Sequence, residues 1–188
     1  MKIKICSRAV LEKMSGSGFD PHTAVISITD VDEKEVGFYR EPEFLLRLCF
    51  DDINSPFDMY GDSRKLALNL FSREQADQIA EFVFHCKDHI DTLICQCRWG
   101  YSRSSAVATA VKEYFFHEGM EIFSDEEYYP NLYVFRECLK ALKRTACYES
   151  GRMKVSVYSR RTVEKLIQEG FPEKTAVISF FDPKTSRH

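Results

Sequence analysis

The spacing of hydrophobic residues along the chain changes repeatedly between the pattern of a strand and the pattern of a helix. Ile3-Lys4-Ile5 alternates as a short strand does, whereas residues 23–28 and 45–50 are compact apolar runs. Residues 92–95 form a further run of the same kind. Runs of this type predict strands that are buried on both faces, as in a parallel sheet covered by helices.

Helices are predicted between these strands from capping residues and from apolar positions at helical spacing. Ser7, Ser72 and Asn131 are suitable N-caps, and Gln75 gives Ser72 the pattern of a capping box. The predicted helices span residues 8–14, residues 73 to about 87, residues 102–116 and the segment after Asn131. Strands that alternate with helices predict an α/β fold with a central, mostly parallel sheet flanked by helices.

The beginning of the chain recurs near its carboxyl terminus. Residues 153–182 align without a gap with residues 1–30, and read MKVSVYSRRTVEKLIQEGFPEKTAVISFFD against MKIKICSRAVLEKMSGSGFDPHTAVISITD. A repeat of so long a period indicates tandem domains. We therefore expect one complete domain over residues 1–152 and a truncated strand-helix-strand start of a second copy over residues 153–188. Either this tail docks on a neighbouring unit, as in a domain-swapped homo-oligomer, or its contacts are adventitious.

Composition excludes several classes of protein. Apolar residues make up 44% of the chain and charged residues 29%, as in globular proteins. A net charge of −3 gives no electrostatic reason to expect a nucleic-acid partner. The chain shows neither a signal-peptide pattern nor an apolar run of the roughly 20 residues that cross a bilayer, so no membrane association is expected. Seven cysteines in such a chain predict free thiols and a cytoplasmic location.

The chemistry of the chain is concentrated in a loop after the fourth predicted strand, which reads Gln96-Cys97-Arg98-Trp99-Gly100-Tyr101-Ser102-Arg103-Ser104. Ligands of α/β sheets bind where a strand ends and a helix begins. Residues 97–103 can curl around Gly100 so that backbone N–H groups point inward and form a nest for an oxyanion. Arg103 adds a planar fork of donors suited to two phosphate oxygens. These donors favour the thiolate form of Cys97, which is then a nucleophile towards phosphorus.

This loop resembles the signature of the protein tyrosine phosphatase superfamily, which is Cys-x5-Arg followed by Ser. The run from Gly100 to Ser105 is similar to the dual-specificity branch and its small bacterial relatives. The resemblance implies hydrolysis of phosphomonoesters, above all on phosphorylated proteins, without a metal or cofactor. It implies that Cys97 forms a phosphocysteine, that Arg103 binds substrate and transition state, and that Ser104 hydrogen-bonds the departing sulfur. The residues implied to bind substrate are Arg98, Trp99, Gly100, Tyr101, Ser102 and Arg103.

The resemblance also implies a general acid, an aspartate on a loop before the helix that leads to the Cys97 strand. Two neighbouring aspartates, Asp51 and Asp52, end a predicted strand at that place. We take Asp52 as the first candidate and Asp51 as the reserve, with Asp58 and Asp62 behind them. An aspartate after a strand can also simply cap a turn.

Two residues depart from the pattern of the superfamily. Gln96 stands where histidine is usual, and it can supply hydrogen bonds but no positive charge. Trp99 is bulkier than usual, so that it either shapes the mouth of a pocket or packs on neighbouring loops. Four alternatives to a protein phosphatase stay open: an RNA 5′-phosphatase, a phosphoinositide phosphatase, a phosphate-binding module without turnover (a pseudophosphatase) and a rhodanese-like sulfurtransferase.

Overall fold

A computed structural model describes residues 1–54 and 69–149, together with residues 163, 164 and 167. The chain divides into two compact units, Met1–Arg152 and Met153–His188. The second unit lies almost entirely outside the described residues. The partial second copy of the strand-helix-strand unit, and its part in a homo-oligomer, therefore stay predictions.

Four strands of the described first unit form one parallel sheet, which confirms the predicted α/β fold. They are β1 (Lys2–Ser7), β2 (Thr23–Thr29), β3 (Phe44–Cys49) and β4 (Thr92–Cys97). Their order across the sheet is β1-β4-β2-β3, and all three pairings are parallel. Every residue of β2 is buried, because this strand has neighbours on both sides and helices over the sheet.

Helices cover both faces of the sheet. The described helices are α1 (Arg8–Ser17), α2 (Arg73–Cys86), α3 (Arg103–Phe116), α4 (Met120–Ser124) and α5 (Leu132–Glu149). On one face Leu11 of α1 packs with Val25 and Ile94, and on the other the alternate strand residues pack with α2, α3 and α5. Among the described residues, no helix has the length and apolar character that a bilayer crossing needs.

The N-caps predicted from the sequence are confirmed. The Ser72 hydroxyl accepts a hydrogen bond from the Gln75 N–H (3.2 Å), and the Gln75 side chain accepts one from the Ser72 N–H (3.0 Å). The Asn131 side-chain oxygen accepts from the N–H groups of Tyr133 and Val134, both at 3.1 Å. These bonds pair donors that a helix leaves unsatisfied in its first turn.

Several predicted boundaries are wrong by a few residues. The first helix continues past residue 14 through Gly16, and Gly18, with a φ of 84°, ends it. The strand predicted over residues 45–50 begins and ends one residue earlier. The strand predicted over residues 92–95 continues to Cys97, because Cys97 pairs with Ser7 of β1. The third helix begins at Arg103 rather than Ser102, and the short helix α4 was not predicted.

Candidate active site

The loop between β4 and α3 lies against the end of β1. Gly100 is in its middle with a φ of 84°, a conformation that L side chains rarely adopt. A Cβ atom at this position would lie 2.6 Å from the backbone nitrogen of Ser7 and 2.7 Å from the backbone carbon of Cys6. Both the conformation and the close approach therefore require glycine.

The carbonyl groups of the loop are hydrogen-bonded to the elements that surround it. The Arg98 carbonyl accepts from the first N–H of α1 (3.2 Å), and the Tyr101 carbonyl accepts from the Tyr129 N–H (2.8 Å). The Ser102 carbonyl accepts from the Asn131 N–H at 3.3 Å. In a trans peptide group the C=O and the N–H point in opposite directions. Because these carbonyls point out of the loop, the N–H groups of the same peptides point into it, as an oxyanion nest needs.

The sulfur of Cys97 lies beside the hydroxyl of Ser104. Cys97 ends β4, Ser104 belongs to the first turn of α3, and 3.0 Å separates Sγ from Oγ. The Cys97 side chain is only 2% exposed, and Ser104 is fully buried. A hydroxyl at this distance can donate a hydrogen bond to a thiolate and so stabilise its charge. The structure thus brings together the predicted nucleophile and its predicted hydrogen-bond donor.

Arg103 is buried beneath the loop, with a residue exposure of 3%. Its Nη1 donates to the Phe50 carbonyl (2.6 Å) and forms an ion pair with Asp30 Oδ1 (2.5 Å). Its Nε is buried and has no hydrogen-bond partner within the described part of the chain. An unpaired buried donor is costly, and an anion bound in the loop would satisfy it.

Asp52 contacts the same loop from the end of β3. Its Oδ1 accepts hydrogen bonds from the Ser102 hydroxyl (2.9 Å) and from the Asn131 side-chain amide (2.8 Å). The Asp52 side chain is exposed, so a substrate can reach it. The hydroxyl of Ser102, predicted to bind substrate, is thus occupied in holding the predicted general acid.

Asp51 has a different set of partners. Its Oδ2 accepts from the backbone N–H of Asn69 at 2.7 Å, and its Oδ1 from that of Val31 at 3.4 Å. These contacts join the segment after β3 to two other segments, as expected of an aspartate that stabilises a turn. Of the two aspartates left open by the sequence, Asp52 is the one whose side chain contacts the loop. Asp58 and Asp62 lie outside the described residues.

Arg98 and Trp99 lie at the edge of the loop. Nη1 of Arg98 is 3.5 Å from Asp30 Oδ2, and its Nε is 3.1 Å from Glu33 Oε1. The Arg98 guanidinium lies over the Trp99 ring, 5.7 Å from the ring centroid. Trp99 is 66% exposed, and Tyr101 is exposed as well. An indole this exposed is not packed on neighbouring loops, so of the two alternatives the structure favours a place at the entrance of the site.

Gln96 is bound to the neighbouring strand rather than to the loop. It is fully buried, and its side-chain oxygen accepts a hydrogen bond from the Ser27 hydroxyl at 2.7 Å. Ser27 is its register partner on β2. The Gln96 Nε2 has no hydrogen-bond partner among the residues that the structure describes.

The six cysteines whose side chains are described are free thiols, as predicted. Burial, with the charge of Cys97 as a smaller cause, raises the pKa of Cys6 to about 12. Burial also raises the pKa of Cys86 to about 11 and raises those of Cys95 and Cys138. Each of these four thiols is therefore neutral at physiological pH, and a neutral thiol is a poor nucleophile.

Asp30 was not predicted from the sequence, although it contacts both arginines of the loop. It directly follows β2, and β2 pairs with β4 in the sheet. Its side chain is 14% exposed. The signal that could have identified Asp30 is an acidic residue at the carboxyl end of a buried strand, the same signal that identified Asp52.

Comparison with solved structures finds similar folds among phosphatases. Tk-PTP in its active form is 17% identical to this chain, covers 77% of it and 92% of its own chain, and has a TM-score of 0.46. PTPMT1 in complex with PI(5)P is 8% identical, with 79% of this chain and 94% of that chain covered and a TM-score of 0.49. Human DUSP28 is 11% identical, with 78% and 94% covered and a TM-score of 0.44. The chain is similar to tyrosine and dual-specificity phosphatases.

No protein-family model and no curated protein matches the sequence. Identities of 8–17% decide neither activity nor substrate. The function proposed below therefore rests on the geometry of the site.

Proposed function

We propose that this chain is a cysteine-dependent phosphomonoester hydrolase that acts on phosphorylated proteins, as a tyrosine or dual-specificity phosphatase. One observation carries the proposal: the buried Cys97 sulfur lies 3.0 Å from the Ser104 hydroxyl, at the strand-helix junction where the buried Arg103 begins α3. The unpaired Arg103 Nε supports it, because a phosphate oxygen is a suitable acceptor for that donor. A nucleophilic sulfur, a hydroxyl donor and a guanidinium together suit phosphoryl transfer.

In the proposed reaction, the Cys97 thiolate attacks phosphorus opposite the leaving oxygen, and the P–O bond breaks as the S–P bond forms. Asp52 gives its proton to the leaving oxygen. Asp52 then takes a proton from the water that attacks the phosphocysteine, and the S–P bond breaks. Ser104 donates a hydrogen bond to the departing sulfur, and Arg103 binds the equatorial oxygens through both transfers. Because Ser102 and Asn131 both bind Oδ1 of Asp52, Oδ2 is the oxygen that would carry the proton.

The charges at the mouth of the site favour a substrate with one phosphate group. Arg98 is ion-paired with both Asp30 and Glu33, so its charge is balanced before a substrate binds. RNA 5′ ends and phosphoinositides with further phosphate groups would bring negative charge close to these two carboxylates. The exposed rings of Trp99 and Tyr101 instead offer surfaces on which a phosphotyrosine side chain can pack.

The proposal is tested by turnover of p-nitrophenyl phosphate. Cys97→Ser should lower kcat by roughly 1000-fold or more, as loss of a nucleophile does in other enzymes. Acid quenching of the wild type during turnover should trap a phosphoryl group on Cys97, which peptide mass spectrometry can locate. Cys49→Ser, which removes an exposed thiol elsewhere, serves as the control. Turnover that survives Cys97→Ser would contradict the proposal.

A phosphate-binding module without turnover is the second candidate, and Gln96 is the observation that favours it. Its side chain is bound to Ser27 and brings no positive charge to the loop. Such a module would bind inorganic phosphate but release no p-nitrophenol, with or without Gln96→His. A comparison of phosphotyrosine peptides, phosphoserine peptides, triphosphorylated RNA and phosphoinositide vesicles as substrates then separates the enzymatic alternatives.

A further inference from the structure

One carboxylate is shared between the two arginines of the loop. Oδ1 of Asp30 lies 2.5 Å from Arg103 Nη1, and Oδ2 lies 3.5 Å from Arg98 Nη1. The Asp30 side chain is 14% exposed and that of Arg103 is 4% exposed. An ion pair so far from solvent is weakly screened, and its hydrogen bond is charge-assisted.

This pair determines how the Arg103 guanidinium is oriented. The carbonyl of Phe50 and Oδ1 of Asp30 both bind Nη1. These two acceptors hold the Nη1 end of the planar guanidinium in place. The opposite edge contains Nε, which is buried and without a hydrogen-bond partner in the described part of the chain. A guanidinium that is oriented before the ligand arrives loses little conformational entropy when phosphate binds.

We propose that Asp30 is the positioning residue for Arg103: its carboxylate holds Nη1 so that the Nε edge faces the phosphate. This inference rests on the proposed phosphate site, but it concerns the orientation of one side chain rather than the chemistry at sulfur. Asp30 acts through Arg103 and does not contact the substrate.

Two opposite effects decide what Asp30 substitutions do. A carboxylate near the loop repels a bound anion, so removal of its charge alone favours phosphate binding. Loss of the acceptor frees the guanidinium, and the transition state then loses a correctly placed donor. Asp30→Asn removes the charge but keeps an oxygen that can accept from Nη1, whereas Asp30→Ala removes both.

We expect Asp30→Ala to lower kcat for p-nitrophenyl phosphate by about 10- to 100-fold, somewhat less than the loss of a transition-state donor itself. Asp30→Asn should recover most of this loss. In calorimetric titrations with inorganic phosphate, Asp30→Asn should bind at least as tightly as the wild type, and Asp30→Ala more weakly. A purely structural role would not separate the two variants in this way.

The decisive measurement is a double-mutant cycle with Arg103→Ala. If Asp30 acts through Arg103, Asp30→Ala should lower kcat no further once Arg103 is alanine. The matched control is Asp77→Ala, because Asp77 pairs with Arg144 at the same distance of 2.5 Å but between α2 and α5. This control should leave both kcat and phosphate affinity unchanged.

Equal losses from Asp30→Ala in the wild-type and Arg103→Ala backgrounds would overturn the inference, as would an Asp30→Asn variant as impaired as Asp30→Ala. If Asp30→Ala does not fold, Asp30→Glu replaces it in the same cycle. The longer glutamate side chain keeps the charge but displaces the guanidinium, so we expect the same loss of kcat as for Asp30→Ala. If the wild type shows no turnover, the proposed hydrolase function fails, while the phosphate titrations still test the positioning role of Asp30.

Discussion

At the scale of single residues, two adjacent carboxylates after β3 have separate tasks. Oδ1 of Asp52 accepts from the side chains of Ser102 and Asn131, which belong to the loop and to the start of α5. Asp51 accepts from backbone N–H groups of Val31 and Asn69. The Ile53 N–H donates to the Asp51 carbonyl (3.0 Å), which makes a tight turn around Asp52, and the two carboxylates bind different segments on either side of it.

The division of tasks predicts that Asp52→Asn and Asp51→Asn have different effects. Asp52→Asn should lower kcat/KM, which reports the step that forms the phosphocysteine, about 100-fold or more for phenyl phosphate, whose leaving group needs a proton. The loss should be much smaller for p-nitrophenyl phosphate, because nitrophenolate leaves without protonation. Asp51→Asn should instead lower the melting temperature by a few degrees, since it weakens two hydrogen bonds to backbone donors. Steady-state kinetics and thermal denaturation measure the two effects, and equal losses with both substrates would move the acid role away from Asp52.

At the scale of helices and strands, the sequence predicted correctly the features that depend on contacts between residues close in sequence. The capping box at Ser72 and the N-cap at Asn131 lie within a few residues of the donors they bind, and both were predictable. The extension of β4 to Cys97 was not, because it depends on pairing with Ser7 of a distant strand. The first helix was predicted to end at residue 14, yet it continues through Gly16 to Ser17, since a glycine inside a helix costs only about 1 kcal/mol.

Gly16 in α1 and Gly100 in the loop allow a matched test, in which the same substitution is made in two different backbone conformations. Gly100→Ala should lower both the melting temperature and phosphatase turnover, because its Cβ would lie 2.6 Å from backbone nitrogen at a positive φ. Gly16→Ala should raise stability by about 0.5–1 kcal/mol, because it lies within α1 and a Cβ there would meet nothing within 4 Å. Thermal denaturation and turnover of p-nitrophenyl phosphate report on both variants. A fully active and stable Gly100→Ala protein would show that the loop does not need its close approach to β1.

At the scale of the whole first unit, the strand order assembles the site. Parallel strands bring their carboxyl ends to one edge, so that Asp30 after β2, Asp52 after β3 and Cys97 at the end of β4 approach one another. The sequence indicated the loop by its local pattern, and the resemblance of that loop to the superfamily indicated Asp52 as the candidate acid. For Asp30 the sequence offered only an acidic residue after a buried strand, because its contact with Arg98, 68 positions away, depends on the pairing of β2 with β4.

Because the candidate site residues all come together within the first unit, we predict that this unit is sufficient for activity. Every residue assigned to the proposed reaction lies in Met1–Arg152, and this unit has its own buried core. A chain ending at Arg152 should therefore have a kcat/KM for p-nitrophenyl phosphate within about twofold of that of the full chain. Its melting temperature should differ from that of the full chain by no more than a few degrees. Light scattering of both chains tests the expected role of residues 153–188 in a homo-oligomer, since only the full chain should then associate. A shortened chain that folds but has lost turnover would mean that the second copy contributes to the site.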